Sequence, residues 1–226
     1  MSHDSRLTRR RVLGTSLALF PALMTARLWT PAATLMPASR EACPATAAQG
    51  EGPFYPRRFG APGNDLLLPG ADGALPEGEA IVIRGRVTDA RCGPLAGAVV
   101  EIWQADPRGR YDHPGDRRGS IDPRFRYWGR AVTDASGSYQ FRTLLPGAYR
   151  AGFGWMRPPH VHFKVRSGRL PVLTTQMYFP DQPLNEEDAL FGSVPAERRH
   201  TVLAVREHAE ASTGGAAPFR FDIAVA

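Results

Sequence analysis

Glycine and proline punctuate this chain at short intervals, which leaves little room for long helices. The 226 residues hold 23 glycines and 21 prolines, spread along the chain instead of gathered into tracts. Proline fixes φ and removes a backbone donor, and glycine favours turns, so the stretches between them read as short strands joined by many turns. Residues 80–87 begin the strand signals, and a turn follows at 89–94. Residues 98–104 are apolar enough to be a central strand. Residues 130–133 and 138–142 flank the turn sequence Asp134-Ala135-Ser136-Gly137 and are expected to form a hairpin. Residues 173–179 and 202–206 read as further strands, 185–190 as a short helix, and 219–225 as a closing strand with Phe219, Phe221, Ile223 and Val225 in alternation. The expected fold is all-β: one antiparallel β-sandwich of short strands with long loops over residues 43–226. Residues 105–127 form a long loop rich in Gly, Pro, Asp and Arg, and loops of that length are more often functional than incidental. Residues 51–78 form an arm expected to be ordered only by packing on the body.

A net charge of +6 invites a nucleic-acid reading, but the charge is local. Residues 1–42 hold six of the 28 basic side chains and only Asp4 and Glu41 of the 22 acids, so the remainder carries only +2. Nucleic-acid binding therefore loses its support. The same N-terminus contains Thr8-Arg9-Arg10-Arg11-Val12-Leu13-Gly14, followed by an apolar run to Met24 interrupted at Pro21. The run is shorter than the roughly 20 residues a spanning helix needs and suits the apolar part of an export signal. It resembles a twin-arginine (Tat) signal, with Val where Phe is usual. That assigns residues 1–42 to signal and linker and implies a periplasmic or secreted protein with no stable membrane span once the signal is removed. Cys43 and Cys92 lie outside it and could pair as a disulfide in an oxidising compartment.

The most specific local pattern is Arg157-Pro158-Pro159-His160-Val161-His162-Phe163-Lys164-Val165. On a strand, Val161, Phe163 and Val165 face a core while His160 and His162 share the opposite face, about 7 Å apart along the backbone. Two imidazoles so placed can converge on one ion, although a lone His-x-His is more often satisfied by hydrogen bonds. Imidazole suits Zn, Cu, Fe and Ni alike, so the pair does not name a metal.

Other segments add to it. Glu51-Gly52-Pro53-Phe54-Tyr55, residues 100–106, Gly109-Arg110-Tyr111, Pro146-Gly147-Ala148-Tyr149, residues 157–163 and Thr175-Gln176-Met177-Tyr178-Phe179 occur in an order similar to that of the intradiol ring-cleavage dioxygenases of the protocatechuate 3,4-dioxygenase type. The resemblance covers roughly residues 44–226. It implies a non-haem Fe(III) cofactor held by Tyr111, Tyr149, His160 and His162. It also implies an enzyme that uses O2 to cleave a catechol-type ring between its two hydroxylated carbons, giving a cis,cis-muconate-type diacid. Hard phenolate oxygens favour Fe(III), whereas two histidines and one carboxylate suit Fe(II). Tyr149 is further implied to help deprotonate the substrate, Arg157 to stabilise negative charge on its ring, and Gln176 to support the same pocket.

Arg150 stands where the family often has proline, and the segment between Tyr149 and His160 is short. Both features bear on the pocket wall and leave the identity of the catechol open. No counterpart of the N-terminal helical domain of catechol-type members is expected. His113 has no assigned role, and His200 and His208 are expected at the surface. The runner-up reading is an exported, non-catalytic β-sandwich binding module, which needs neither the tyrosines nor the His-x-His. A periplasmic copper or zinc binder would use the histidines but leave both tyrosines and Arg157 unexplained. Small-molecule substrate and O2 are the partners expected; a homo-oligomer is compatible with the sequence, which does not fix the assembly.

Overall fold

A computed structural model of the chain describes residues 43–152, 154–208 and 214–226. The export-signal sequence lies outside the described residues. Among the described residues eleven strands follow one another: β1 Ala80–Asp89, β2 Val99–Gln104, β3 Trp128–Val132, β4 Ser138–Leu144, β5 Tyr149–Gly152, β6 Trp155–Arg157, β7 His160–Arg166, β8 Leu173–Tyr178, β9 Val205–Arg206, β10 Ala217–Arg220 and β11 Ile223–Val225. The expected helix at 185–190 is replaced by a 3-10 turn at Pro183–Asn185 and the four-residue helix α1, Ala189–Gly192. A second 3-10 segment spans Ala196–Thr201, so of the expected strand at 202–206 only β9 forms.

Two sheets make the expected all-β sandwich. One has the order β3-β2-β7-β8 and is antiparallel throughout. The other is built on β1, which pairs antiparallel with β4 on one side and parallel with β10 and then β11 on the other. The closing strand is thus split in two, yet its alternation holds: Phe219, Phe221, Ile223 and Val225 are all buried. They meet Val100, Ile102, Val161, Phe163 and Val165 of the first sheet in one core. Phe163 makes the junction, with its ring 5.0 Å from Phe221 and 6.0 Å from Tyr139.

The hairpin expected across residues 130–142 does not form. Its turn closes, with Gly137 N donating to Asp134 O at 3.0 Å, but the flanking strands enter different sheets. Thr133 explains the split. Its hydroxyl donates to Leu95 O and accepts from Ala98 N, which ties the end of β3 to the start of β2. Tyr139 and Phe141 of β4 meanwhile turn their rings into the core against β1.

The arm expected at 51–78, together with residues 43–50 that lead into it, is held by more than packing: Leu66 N donates to Arg142 O and Leu68 N to Arg124 O. Thr46 N donates to Ala224 O and Gln49 N to Thr174 O, so the arm is hydrogen-bonded to the edges of both sheets. Cys43 and Cys92 form a disulfide that fastens its beginning to the turn after β1. Among the described residues no helix is long and apolar enough to cross a membrane.

Candidate metal centre

On β7 the alternation read from the sequence is realised. Val161, Phe163 and Val165 are fully buried in the core, and His160 and His162 lie on the other face, only 2% and 3% exposed. Their rings are 4.9 Å apart. In the β2–β7 register Trp103 is opposite His162, and its indole stacks on that imidazole at 4.8 Å with an 11° tilt. On the other side of β7, His162 is opposite Gln176 of β8.

The tyrosines arrive from two other segments. Tyr111 comes from the long loop between β2 and β3 and is 1% exposed; Tyr149 opens β5 and is 7% exposed. Gly109 sets their relative position. It adopts φ +79°, and a Cβ there would lie 2.6 Å from Ala148 O and 2.8 Å from Tyr149 Cβ, so the two segments cross closer than any other residue allows. The tyrosine rings meet edge to face at 5.5 Å. Tyr111 Oη is 3.2 Å from His160 Nε2. Tyr149 is 5.7 Å from His160 and Tyr111 is 6.1 Å from His162 by ring centroids. The structure therefore brings Tyr111, Tyr149, His160 and His162 into one buried cluster.

The electrostatics suit a cation. Burial, followed by the Arg157 charge, pushes both imidazoles well below their ordinary pKa, so both are neutral and carry lone pairs. His160 Nδ1 is 2.7 Å from Pro158 O. A carbonyl only accepts, so the proton sits on Nδ1 and the Nε2 lone pair faces the Tyr111 phenol. His162 Nδ1 is buried and finds no hydrogen-bond partner among the described residues. Burial raises the pKa of Tyr111 and of Tyr149, against which Arg157 and Arg118 act to lower both; a multivalent cation would act in the same direction as the arginines. No group of three or more His, Cys, Asp or Glu side chains suited to a metal occurs among the described residues. The oxygens that stand beside the two imidazoles are the Tyr111 and Tyr149 phenols, and two phenolates with two imidazoles are a donor set that fits Fe(III).

Around this cluster stand the charged and polar groups. Arg157, 4% exposed, is opposite Tyr149 in the β5–β6 pairing, and its charge acts to lower the pKa of that phenol. Gln176, fully buried, accepts from Arg157 Nη2 at 2.7 Å through Oε1 and donates to Gly50 O at 3.4 Å through Nε2. The arm covers the site: Phe54 stacks on Tyr111 at 4.8 Å, and Glu51 pairs with Lys164. Gly52, at φ +75°, passes over His162, where a Cβ would lie 3.3 Å from Cε1. Arg118 lies 4.3 Å above the Tyr149 ring.

Several of these groups carried no sequence signal. Asp116 accepts from Tyr111 N at 2.9 Å and pairs with Arg118 at 2.6 Å. Burial alone would raise its pKa, but the bonds from the Arg118 side chain and from the backbone of Tyr111 and Arg118 bring it down to about 2. His113 is buried beside Phe54 at 5.7 Å, and its Nδ1 accepts from Gly115 N, so it staples the loop. Asp188, buried behind Arg157, belonged to a segment read only as a short helix. His200 and His208 are exposed, as expected.

Residues 50–226 match the Dioxygenase_C family, described as "Dioxygenase". The chain belongs to this dioxygenase family. Over 165 residues it is 38% identical to the protocatechuate 3,4-dioxygenase beta chain of Burkholderia cepacia, covering 71% of this chain and 70% of that one. It is 33% identical over 170 residues to a chlorocatechol 1,2-dioxygenase of Pseudomonas putida, covering 70% of this chain and 61% of that one. The catechol 1,2-dioxygenase 2 of Acinetobacter lwoffii is 34% identical over 169 residues, and the chain spans 59% of its length. Among solved structures, the dioxygenase domain of a dioxygenase carbohydrate-binding fusion from the cellulolytic bacterium Streptomyces sp. SirexAA-E is similar, with TM-score 0.61 and 31% identity over 80% of this chain and 97% of that one. Members of the family carry out intradiol ring cleavage and are oxidoreductases.

Proposed function

We propose that this dioxygenase holds a non-haem ferric ion between Tyr111, Tyr149, His160 and His162 and cleaves a catechol-type ring between its hydroxylated carbons. With O2 the product is a cis,cis-muconate-type diacid. The observation that carries the reading is the meeting of two phenols and two neutral imidazoles, drawn from three separate segments, in one buried cluster. A sandwich module without catalysis would have no use for that burial of four polar rings.

A ferric ion bound there supplies Lewis acidity and a template for the two hydroxyl oxygens of a catechol. The chain's own residues do the rest. In its phenolate form Tyr149 Oη accepts a proton from a substrate hydroxyl, a role supported by the cations around it, Arg157 directly across the strand pair and Arg118 over the ring, both of which act to lower the phenol pKa. Arg157 presents fixed positive charge to the substrate ring as it becomes electron-rich, in a site dry enough for that charge to count. Gln176 holds Arg157 in place through Nη2. Phe54 and the backbone at Gly52 exclude water from the tyrosine and histidine side of the site.

The test is spectroscopic and catalytic together. Purified enzyme is expected to be red-brown, with a broad visible band from tyrosinate-to-Fe(III) charge transfer. His160→Ala or Tyr149→Phe should bleach it. A colourless, fully active protein, or one containing only zinc, overturns the ferric reading. Oxygen uptake over a panel of catechols, with identification of the ring-opened acid, names the substrate.

Export is part of the same proposal. The arginine run at residues 9–11 and the disulfide between Cys43 and Cys92 both fit an oxidising compartment. Replacing Arg9, Arg10 and Arg11 by lysine should retain the protein in the cytoplasm; unchanged export removes the twin-arginine assignment.

A further inference from the structure

Behind Arg157 stands a carboxylate that the proposed chemistry does not use. Asp188 is 1% exposed. Its Oδ1 accepts from Arg157 Nε at 3.0 Å and from Trp155 Nε1 at 3.0 Å. Its Oδ2 is 3.3 Å from Arg157 Nη2 and 3.3 Å from Phe191 N. Asp188 is also the N-cap of α1, but capping does not call for a charge, because Asn and Ser cap as well as Asp. Burying a full carboxylate against a guanidinium costs desolvation and persists only where the pair is fully hydrogen-bonded. The charge at position 188 is thus explained by Arg157 and not by the helix.

The hydrogen bonds divide the guanidinium into two parts. Nη2 donates to Gln176 Oε1 at 2.7 Å, and Tyr178 Oη lies 3.3 Å away. These contacts hold one nitrogen and leave the fork free to pivot about it. The bond from Nε to Asp188 removes the pivot, and the Trp155 indole keeps the carboxylate from turning away. The residue so held stands directly opposite Tyr149 across the β5–β6 pair.

We infer that Asp188 is a positioning residue for turnover, which fixes the rotation of the Arg157 guanidinium so that its free edge is presented beside Tyr149. The inference rests on the reading of Arg157 as the group that stabilises charge on the substrate. Asp188 touches no reacting atom and acts only through Arg157.

Asp188→Asn separates the two roles of the residue, since it keeps the cap and the side-chain size. The iron-loaded variant should keep its visible band and its KM while kcat falls about 10- to 100-fold, the usual effect of losing a buried supporting partner. Arg157→Ala and the double variant complete a cycle. The double variant should turn over no more slowly than Arg157→Ala alone. In metal-free protein it should also melt above Arg157→Ala, because asparagine removes the buried carboxylate that loss of the arginine leaves unpaired. Should the asparagine variant fail to fold, Asp188→Ser, another capping residue, repeats the cycle. Rate losses that multiply in the double variant overturn the inference. So does a parental kcat in Asp188→Asn beside a slow Arg157→Ala, and that outcome leaves the reading of Arg157 standing. A parental kcat in Arg157→Ala removes the reading itself, and the inference with it.

Discussion

Removing the disulfide should destabilise the whole domain while leaving the candidate centre assembled. Cys43 and Cys92 are 49 positions apart. Closing a loop of that length restricts the unfolded chain, and the chain-entropy relation gives about 4 kcal/mol of stabilisation at 25 °C. For a domain of this size each kcal/mol moves Tm by roughly 2–4 °C, so the double variant Cys43→Ser/Cys92→Ser should melt on the order of 10 °C lower. The local consequence is different. Between Cys43 and Gly50 the arm is anchored independently, by Thr46 N on Ala224 O, by Gln49 N on Thr174 O and by Thr175 Oγ1 donating to Ala47 O. Those bonds lie between the disulfide and the residues that cover the tyrosines. The visible band of the iron-loaded variant should accordingly match that of the parent. Thermal melts followed by far-ultraviolet circular dichroism, with absorbance recorded on the same samples, measure both quantities. A loss of less than about 2 °C refutes the entropic argument, and a bleached band beside a parental Tm refutes the independent anchoring of the arm.

Two further outcomes follow from the site. Burial depresses the pKa of His160 and His162 in the folded chain, whereas the unfolded chain titrates near 6.5, so the unfolded state takes up more protons as the pH falls. Stability of the metal-free protein is therefore complete above about pH 6.5 and declines below it, by up to about 1.4 kcal/mol per pH unit for each imidazole; denaturant titrations at pH 7.5 and 5.5 measure this, and a flat profile contradicts the burial of neutral rings. Gly109→Ala meets both a positive φ and a backbone oxygen 2.6 Å away, so it should cost about 1–3 kcal/mol and lower iron retention by moving Tyr111 relative to Tyr149. An alanine variant with parental Tm and parental iron content would show that the two segments part without cost.

What could be read from the chain beforehand depended on how far each relation extended along it. The alternation of Val161, Phe163 and Val165 against His160 and His162 is a property of six consecutive residues, and β7 reproduces it. The final strand was legible for the same reason, although β1 divides it by pairing first with Ala217–Arg220 and then with Ile223–Val225. The hairpin around Asp134–Gly137 misled because a tight turn reports only its own four residues. Thr133, by bonding Leu95 and Ala98, decides which sheet each strand joins. Asp116 and Asp188 were silent for a related reason. One organises the Tyr111 loop and the other holds Arg157, but an isolated aspartate in a polar segment has no pattern to betray its partner.

The convergence of the four rings divides the labour between rigid and adjustable parts of the fold. Both imidazoles sit on β7, hydrogen-bonded on each side by β2 and β8, so their spacing is fixed by the sheet itself. Tyr111 is set by a loop, and Tyr149 by a short hairpin whose other strand carries Arg157 directly opposite. The residue proposed to take the substrate's proton and the residue proposed to stabilise its charge thus move as cross-strand neighbours, and Asp188 anchors the pair to α1. Arg150, which stands where the resemblance leads one to expect proline, is exposed and pairs with Met156 on the same hairpin. A side chain can therefore change at the outer positions of this hairpin without moving β7. Differences in the catechol accepted should accordingly arise in the hairpin and the covering arm, while the proposed iron ligands stay fixed by the sheet and by the crossing at Gly109.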